Sequence, residues 1–205
     1  MRRQIPLSGS PLAGLLIWAM LLLAACGPHR KAWVHPAYEN EDQRQTLRLG
    51  VTTSPAPGGD AVMAELWTAL ARQYANQHRD FIARGFSMEG MEEPSSHCGT
   101  GHEAILHIEP TRVDATARGY ALALSARMVR CRDGAVIWKA TARGRFKSQD
   151  PHLVEVKARY EALFGDEIGP VVAPSFRLIR AALSNLPRPV LETDDDIMEK
   201  ILLGE

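Results

Sequence analysis

The stretches YALALSARMVR (residues 120–130) and VIWKATARGRF (residues 136–146) decide the fold, because both alternate apolar residues with others at a period of two. One face of the first collects Tyr120, Leu122, Leu124, Ala126 and Met128, and one face of the second collects Val136, Trp138, Ala140, Ala142 and Phe146. The two apolar faces must lie on the same side of a sheet. The pattern therefore predicts an antiparallel hairpin.

The turn between these strands sets their register. A two-residue turn ending at Gly134 would pair Met128 with Lys139 and put a charge into the apolar face, because a slip of one residue exchanges the faces. A three-residue loop over residues 132–134 instead pairs Met128 with Trp138. We therefore predict a type I turn with Gly134 in the left-handed conformation of a G1 bulge.

The same register gathers four cations on the opposite face of the sheet. They are Arg127, Lys139, Arg143 and Arg145. Contact with anionic lipid or glycan is one interpretation of this basic face. A solvated face of an antiparallel sheet is the commoner one.

The flanking sequence predicts the rest of a single domain over residues 44–190, followed by an acidic C-terminal tail over residues 191–205. Alternation predicts strands, and apolar spacings of three and four residues predict helices. The expected class is α+β, with a largely antiparallel sheet of about five strands and helices packed on one face. The further strands are expected at 47–51, 81–86 and 104–113, and the helices at 60–77, from Asp150 and from Pro170.

The N-terminus carries the features of an export signal. Two arginines precede the apolar run Leu15–Leu23, which is shorter than the ~20 residues of a membrane-spanning helix. Residues 1–25 are expected to be removed as a signal peptide. Cys26 follows Leu-Ala-Ala in a sequence that resembles a bacterial lipobox, so Cys26 is expected to carry lipid.

Residues 26–43 are polar, contain two prolines and show no period, so they are expected to form a flexible tether. Without residues 1–25 the chain has 22 basic and 24 acidic side chains. That balance shows no electrostatic footprint for nucleic acid, so none is expected as a partner.

Two cysteines remain once Cys26 is assigned to lipid. Cys98 and Cys131 form an even pair in a compartment that permits oxidation, and antiparallel pairing brings them to the same end of the sheet. A disulfide is expected, with a chain-entropy gain of about 4 kcal/mol. Paired metal ligands and free thiols are the alternatives.

Metal and catalytic chemistry have weaker signals. The potential zinc ligands match no standard spacing, and strand alternation turns His107 away from the core face. No nucleophile elbow, phosphate-binding loop or calcium loop is present in the sequence. We predict no cofactor, metal site or catalytic residue. The ligand candidates are His97, Cys98, His102, His107 and Cys131.

Several short segments carry a resemblance to a known family: residues 65–67, 72–74, 79–82, the two cysteines, 174–177 and 198–201. In these segments the chain resembles an uncharacterised family of predicted bacterial lipoproteins, over most of its length after the signal. The resemblance implies no activity. The order of elements is also loosely similar to small α/β lipoprotein domains of the bacterial envelope, such as those of curli secretion channels and penicillin-binding-protein activators, and this similarity supports analogy alone.

Together these features predict a non-catalytic envelope assembly or partner-binding factor. The membrane is the expected first partner, through lipid on Cys26, and an envelope protein the second. Gly27 stands where an aspartate would resemble an inner-membrane retention signal, so the periplasmic side of the outer membrane is expected. A lipid- or glycan-binding module is the alternative, and a metal protein or enzyme is a weaker one.

Replacing Cys26 with serine should abolish acylation of the chain, because the thiol is the group that would receive the lipid. Metabolic labelling of bacteria with an alkyne-tagged palmitate checks this. The Cys98→Ser variant is the control and should keep the label. Label of equal intensity on Cys26→Ser would contradict the assignment.

Overall fold

The computed structural model describes residues 28–58, 61–87, 93–99 and 101–204. The predicted signal peptide and the acylation site Cys26 lie outside the described residues. The described part contains one sheet of six strands and four α-helices. The strands are β1 (His29–Val34), β2 (Arg48–Thr53), β3 (Ile82–Gly85), β4 (Ala104–Thr116), β5 (Gly119–Arg130) and β6 (Val136–Lys147), and the helices are α1 (Ala61–His78), α2 (Val154–Phe164), α3 (Gly169–Leu183) and α4 (Asp194–Gly204). The strand order in the sheet is β1-β6-β5-β4-β2-β3.

The expected α+β class is confirmed, but the expected largely antiparallel sheet of about five strands is wrong. The sheet is mixed, because β2 runs parallel to both β3 and β4. Helix α1 carries the chain back from the end of β2 to the start of β3, and such a crossover makes two neighbouring strands parallel. The sixth strand is β1.

The predicted flexible tether is corrected from His29 onward. Strand β1 pairs antiparallel with β6, with Trp33 opposite Lys139, and a π-helical turn follows at Tyr38–Asp42. All six residues of β1 are exposed. An edge strand that is exposed on both faces needs no alternation of apolar residues, so its sequence has no strand period to detect.

The predicted acidic tail is also part of the domain. Asp196 and Glu199 of α4 each accept a hydrogen bond from Arg48 of β2 at 2.9 Å. The opposite side of α4 leaves Ile197, Met198, Ile201 and Leu202 exposed. No helix in the described part of the chain has the length and apolar character needed to cross a bilayer.

The predicted register of β5 and β6 is confirmed: Met128 lies opposite Trp138, and Tyr120 lies opposite Phe146. The turn differs in detail. The Arg130 N–H donates to the Ala135 carbonyl at 2.9 Å, which closes a loop of four residues, 131–134, rather than three. A bulge between Met128 and the turn absorbs the extra residue. Gly134 has φ +72°, the left-handed conformation predicted for it.

Helices α1 and α3 cover the apolar face of the sheet. Trp67 of α1 and Trp138 of β6 are both fully buried in the core between them. Each indole N–H is satisfied there: Trp67 donates to Ser175 Oγ at 2.9 Å, and Trp138 donates to the Asn185 carbonyl at 3.1 Å. The two indoles therefore join α1 to α3, and the sheet to the segment that follows α3.

A buried ion pair joins the turn after β1 to the end of β5. Asp42 is fully buried and accepts a hydrogen bond from the guanidinium of Arg130, which is 8% exposed. Arg130 also donates to Asp133 at 2.9 Å, and this bond, with further help from the Ala135 N–H, lowers the pKa of Asp133 to about 2. Because both side chains are removed from water, loss of one partner would leave the other as a buried charge without its ion pair.

Replacing Arg130 with methionine should lower the free energy of unfolding by about 3–5 kcal/mol, because the buried Asp42 carboxylate loses its hydrogen-bonded cation. Urea unfolding under oxidising conditions measures this. The exposed Arg44, which pairs with Glu192 at 2.9 Å, provides the control. Its Arg44→Met variant should lose no more than about 1 kcal/mol. Equal losses in the two variants would contradict this assignment.

Candidate functional site

The face of the sheet opposite the helices is the open face, and the β5–β6 register decides which side chains lie on it. Met128 and Trp138 point into the core, so their neighbours Arg127 and Lys139, which pair with each other, point the other way. Strand β1 extends this face by placing Trp33 opposite Lys139. Three adjacent strands thus contribute an aromatic ring and two cations in one row.

A groove of about 580 Å³ runs along this row, and we name it the open-face groove. Residues of β1, β4, β5 and β6 line it, together with Ser54 just after β2. Trp33 of β1 is 45% exposed. The groove is lined by Lys31, Ala32, Trp33, Ser54, His107, Glu109, Ser125, Ala126, Arg127, Val136, Lys139, Ala140 and Thr141.

Cations dominate the charge of the open-face groove. Its lining contains Lys31, Arg127 and Lys139 against one carboxylate, Glu109, which accepts a hydrogen bond from Ser125 Oγ at 3.0 Å. Arg127 lies 3.4 Å from Glu93. Within the described residues no carboxylate lies within 4.0 Å of either lysine. The two ammonium groups are therefore available to an anionic ligand.

His107 is the buried polar group of the groove. It is 7% exposed, and its Nε2 lies 2.7 Å from Ser54 Oγ. Burial lowers the pKa of His107, and the Arg127 cation lowers it further, while Glu109 and Glu93 oppose the shift. The imidazole is therefore neutral at neutral pH and links β4 to the end of β2.

A serine next to a histidine nitrogen also resembles the first two members of a nucleophilic catalytic set. Such a set needs a third group that orients the imidazole. Glu109, the carboxylate nearest in sequence, is hydrogen-bonded to Ser125 instead. We therefore assign the Ser54–His107 bond to the structure of the sheet rather than to catalysis.

A disulfide closes the far end of the open face. Cys98 and Cys131 are bonded, with their Cα atoms 5.2 Å apart, and the Cys131 N–H donates to the Glu103 carbonyl at 2.9 Å. The predicted metal alternative gains no support, because no group of three or more His, Cys, Asp or Glu side chains within the described ranges is placed to hold a metal ion.

Aromatic rings beside the disulfide cover part of the open face. The Phe86 ring lies 4.5 Å from that of His97 and 5.7 Å from that of His102, measured between centroids. Burial, aided by Arg84 and His97, lowers the pKa of His102. A Cβ at Gly50 would lie 2.9 Å from the Phe86 ring and 2.7 Å from Ile105, so only glycine permits this cover.

The four residues of the predicted basic face line three depressions. Arg127 and Lys139 line the open-face groove. Arg143 lines an adjoining depression of about 300 Å³, together with Lys31. Strand alternation puts the side chain of Arg145 on the same side of β6 as those of Lys139 and Arg143, and the residue also borders a groove beside the helices.

Sequence reasoning missed Lys31 and Trp33, because both lie in the segment interpreted as a tether. The one available signal was Ala-Trp-Val at residues 32–34, a short apolar run with aromatic and β-branched members. It was too short to show a period. Pairing with β6 is a long-range interaction that the local sequence does not record.

No family model and no curated protein matches this sequence. Distantly similar solved structures include a PelC dodecamer from Paraburkholderia phytofirmans, at 13% identity over 70% of this chain and 96% of that chain, with a TM-score of 0.43. Another is the lipoprotein GNA1162 from Neisseria meningitidis, at 18% identity over 57% of this chain and 93% of that chain, with a TM-score of 0.35. No role is inferred from these likenesses.

We expect the His107 imidazole to titrate below the ordinary histidine value of about 6.5, because it is buried beside a cation. Histidine NMR signals followed against pH measure this. The Arg127→Gln variant should raise the pKa of His107, whereas Arg118→Gln, at the exposed β4–β5 turn, should leave it unchanged. A midpoint at or above 6.5 in the unmodified protein, or no shift in Arg127→Gln, would contradict this.

The lowered pKa of His107 makes the stability of the fold depend on pH. The unfolded chain binds the proton more readily than the folded one, so the contribution of His107 to the free energy of unfolding is fully present above about pH 6.5. It should be lost as the pH falls through the folded-state value.

Proposed function

We propose that this chain is a lipid-anchored, non-catalytic envelope protein that binds an envelope partner through the open-face groove. The N-terminal charge, the apolar run and Cys26 support export and anchoring. The bonded Cys98 and Cys131 suit an oxidising compartment. The periplasmic side of the outer membrane is the proposed location, on the basis of Gly27.

One observation carries the binding role. Trp33 is a large, half-exposed aromatic side chain on an edge strand, and Lys139 lies opposite it with no carboxylate partner in the described part of the chain. Exposed tryptophans and unpaired cations around a concavity are typical of recognition surfaces, because the ring supplies area and the cation supplies orientation. Lys31 adds a second free charge.

The charge of the open-face groove selects the class of partner. Lys31 and Lys139, which have no carboxylate within 4.0 Å in the described part of the chain, favour an anionic surface, such as an acidic segment of another envelope protein. A solvated ammonium group contributes modestly, so the specificity depends on Trp33 together with the lysines rather than on either lysine alone.

The proposed alternative is a glycan-binding module that uses the same groove. The feature that favours it is the exposed Trp33 ring, since an aromatic ring presents an apolar face beside polar groups. The two functions differ in what would be captured at Trp33, a protein or a carbohydrate polymer.

Crosslinking from the groove tests the proposal. Trp33 is replaced in the full chain by the photocrosslinking residue benzoylphenylalanine. Native membranes that contain this variant are irradiated, and the adducts are identified by mass spectrometry. We expect one specific protein adduct. Adding Lys31→Glu and Lys139→Glu should reduce its yield at least about tenfold, because two favourable charges become repulsive.

The matched control for this experiment is Arg118→Glu, which reverses one exposed charge outside the groove and should leave the adduct intact. A carbohydrate adduct would favour the glycan module. An adduct of equal yield after both lysines are reversed, or no specific adduct, would contradict partner binding at the open-face groove.

A further inference from the structure

A second groove lies at the β1 edge on the helical side of the sheet, away from the open-face groove. Its volume is about 690 Å³, and it is bounded by β1, the end of β6 and α3. We name it the anchor-side groove, because Pro28, the first described residue, is part of its lining.

Arginines dominate the lining of the anchor-side groove. Arg30, Arg177 and Arg180 contribute positive charge, and Asp150 is the single carboxylate among the lining residues. Asp150 pairs with Arg177, which leaves Arg30 and Arg180 without a carboxylate partner in the described part of the chain. A groove of this charge fits a phosphate group, which guanidinium groups bind with two parallel hydrogen bonds.

Two of these arginines have a side-chain hydrogen-bond partner. Arg30 donates to Ser184 Oγ at the end of α3, and Arg177 donates through Nε to Asp150 at 2.7 Å. Arg180, one turn after Arg177 on α3, has no carboxylate within 4.0 Å in the described ranges. Arg30 and Arg180 therefore keep their full charge for a ligand.

The same groove has an apolar side. Phe146, at 9% exposure, and the half-buried Phe176 both line it, together with Leu153. A free phosphate ion would use the arginines and leave these rings without a role. A phospholipid presents a phosphate and the first carbons of its acyl chains, and so matches both parts of the lining.

The place of the groove in the chain supplies the membrane. Cys26 lies two residues before Pro28, so its Cα is no more than about 7 Å from that of Pro28 whatever the conformation. A lipid on Cys26 would therefore hold the groove at the level of the headgroups. This step rests on the proposed anchoring through Cys26.

We propose that the anchor-side groove binds the headgroup phosphate of an anionic phospholipid in the membrane that holds the protein. Arg30 and Arg180 bind the phosphate, and Phe146 and Phe176 contact the glycerol and the adjoining carbons. The bound lipid fixes the orientation of the domain, so that a short connection to the anchor leaves the open face turned to a defined side.

A titration in solution tests this binding directly. The protein is expressed from its full sequence, so that the host can process the N-terminus, and is purified in a neutral maltoside detergent. It is then titrated with dihexanoyl phosphatidylglycerol by isothermal calorimetry. We expect saturable binding. The Arg30→Gln, Arg180→Gln double variant should bind about tenfold more weakly or worse, because each lost cation removes part of the attraction to the phosphate.

Three comparisons decide the outcome. Arg118→Gln removes an exposed arginine elsewhere and should bind like the unmodified protein. Dihexanoyl phosphatidylcholine and glycerol 3-phosphate should both bind at least about tenfold more weakly than phosphatidylglycerol. Equal binding by the double variant, by phosphatidylcholine or by glycerol 3-phosphate would overturn the proposal, the last by showing a site for free phosphate.

Matched circular dichroism spectra and thermal transitions establish that the double variant is folded, and Arg180→Glu alone serves as a second variant with the same expected loss. The acyl mass on Cys26 is measured on the same samples. Binding without acylation would refute the anchoring and keep the groove, whereas acylation without binding would refute the groove alone.

Discussion

The pairing of Met128 with Trp138 across β5 and β6 is the constraint on which the rest of the structure depends. It puts both side chains into the core and turns Arg127 and Lys139 outward. A slip of β6 by one residue would bury Lys139 and expose Trp138. Helices α1 and α3 pack on the apolar face of the sheet. The opposite face carries polar and charged side chains, so the helices leave it open to a ligand.

Strand β1 connects this division to the two proposed sites. Arg30 pairs with the buried Ala142 and so lies on the helical side, whereas Lys31 and Trp33 belong to the open face. Strand β1, which begins three residues after Cys26, thus contributes to both the anchor-side groove and the open-face groove. The proposed lipid site and partner site therefore share one strand.

The sequence predicted the parts of this fold that depend on local periodicity. The meander, its register and Gly134 followed from alternation on β5 and β6, and α1 followed from apolar spacing. Strand β1 was missed because both its faces are exposed, and the mixed sheet was missed because parallel pairing of β2 with β4 is set by distant segments. Arg127 and Lys139 were correctly placed together, but the grooves depend on how β1 and α3 meet the sheet, which no local pattern encodes.

The register can be measured directly in solution. Nuclear Overhauser effects between backbone protons of facing residues report which positions of an antiparallel pair lie opposite each other, since paired Cα atoms are only about 4.5–5.5 Å apart. The account predicts cross-strand effects joining Met128 to Trp138 and Arg127 to Lys139. Effects joining Met128 to Lys139 would contradict it, because the core face and the open face would then be exchanged on β6.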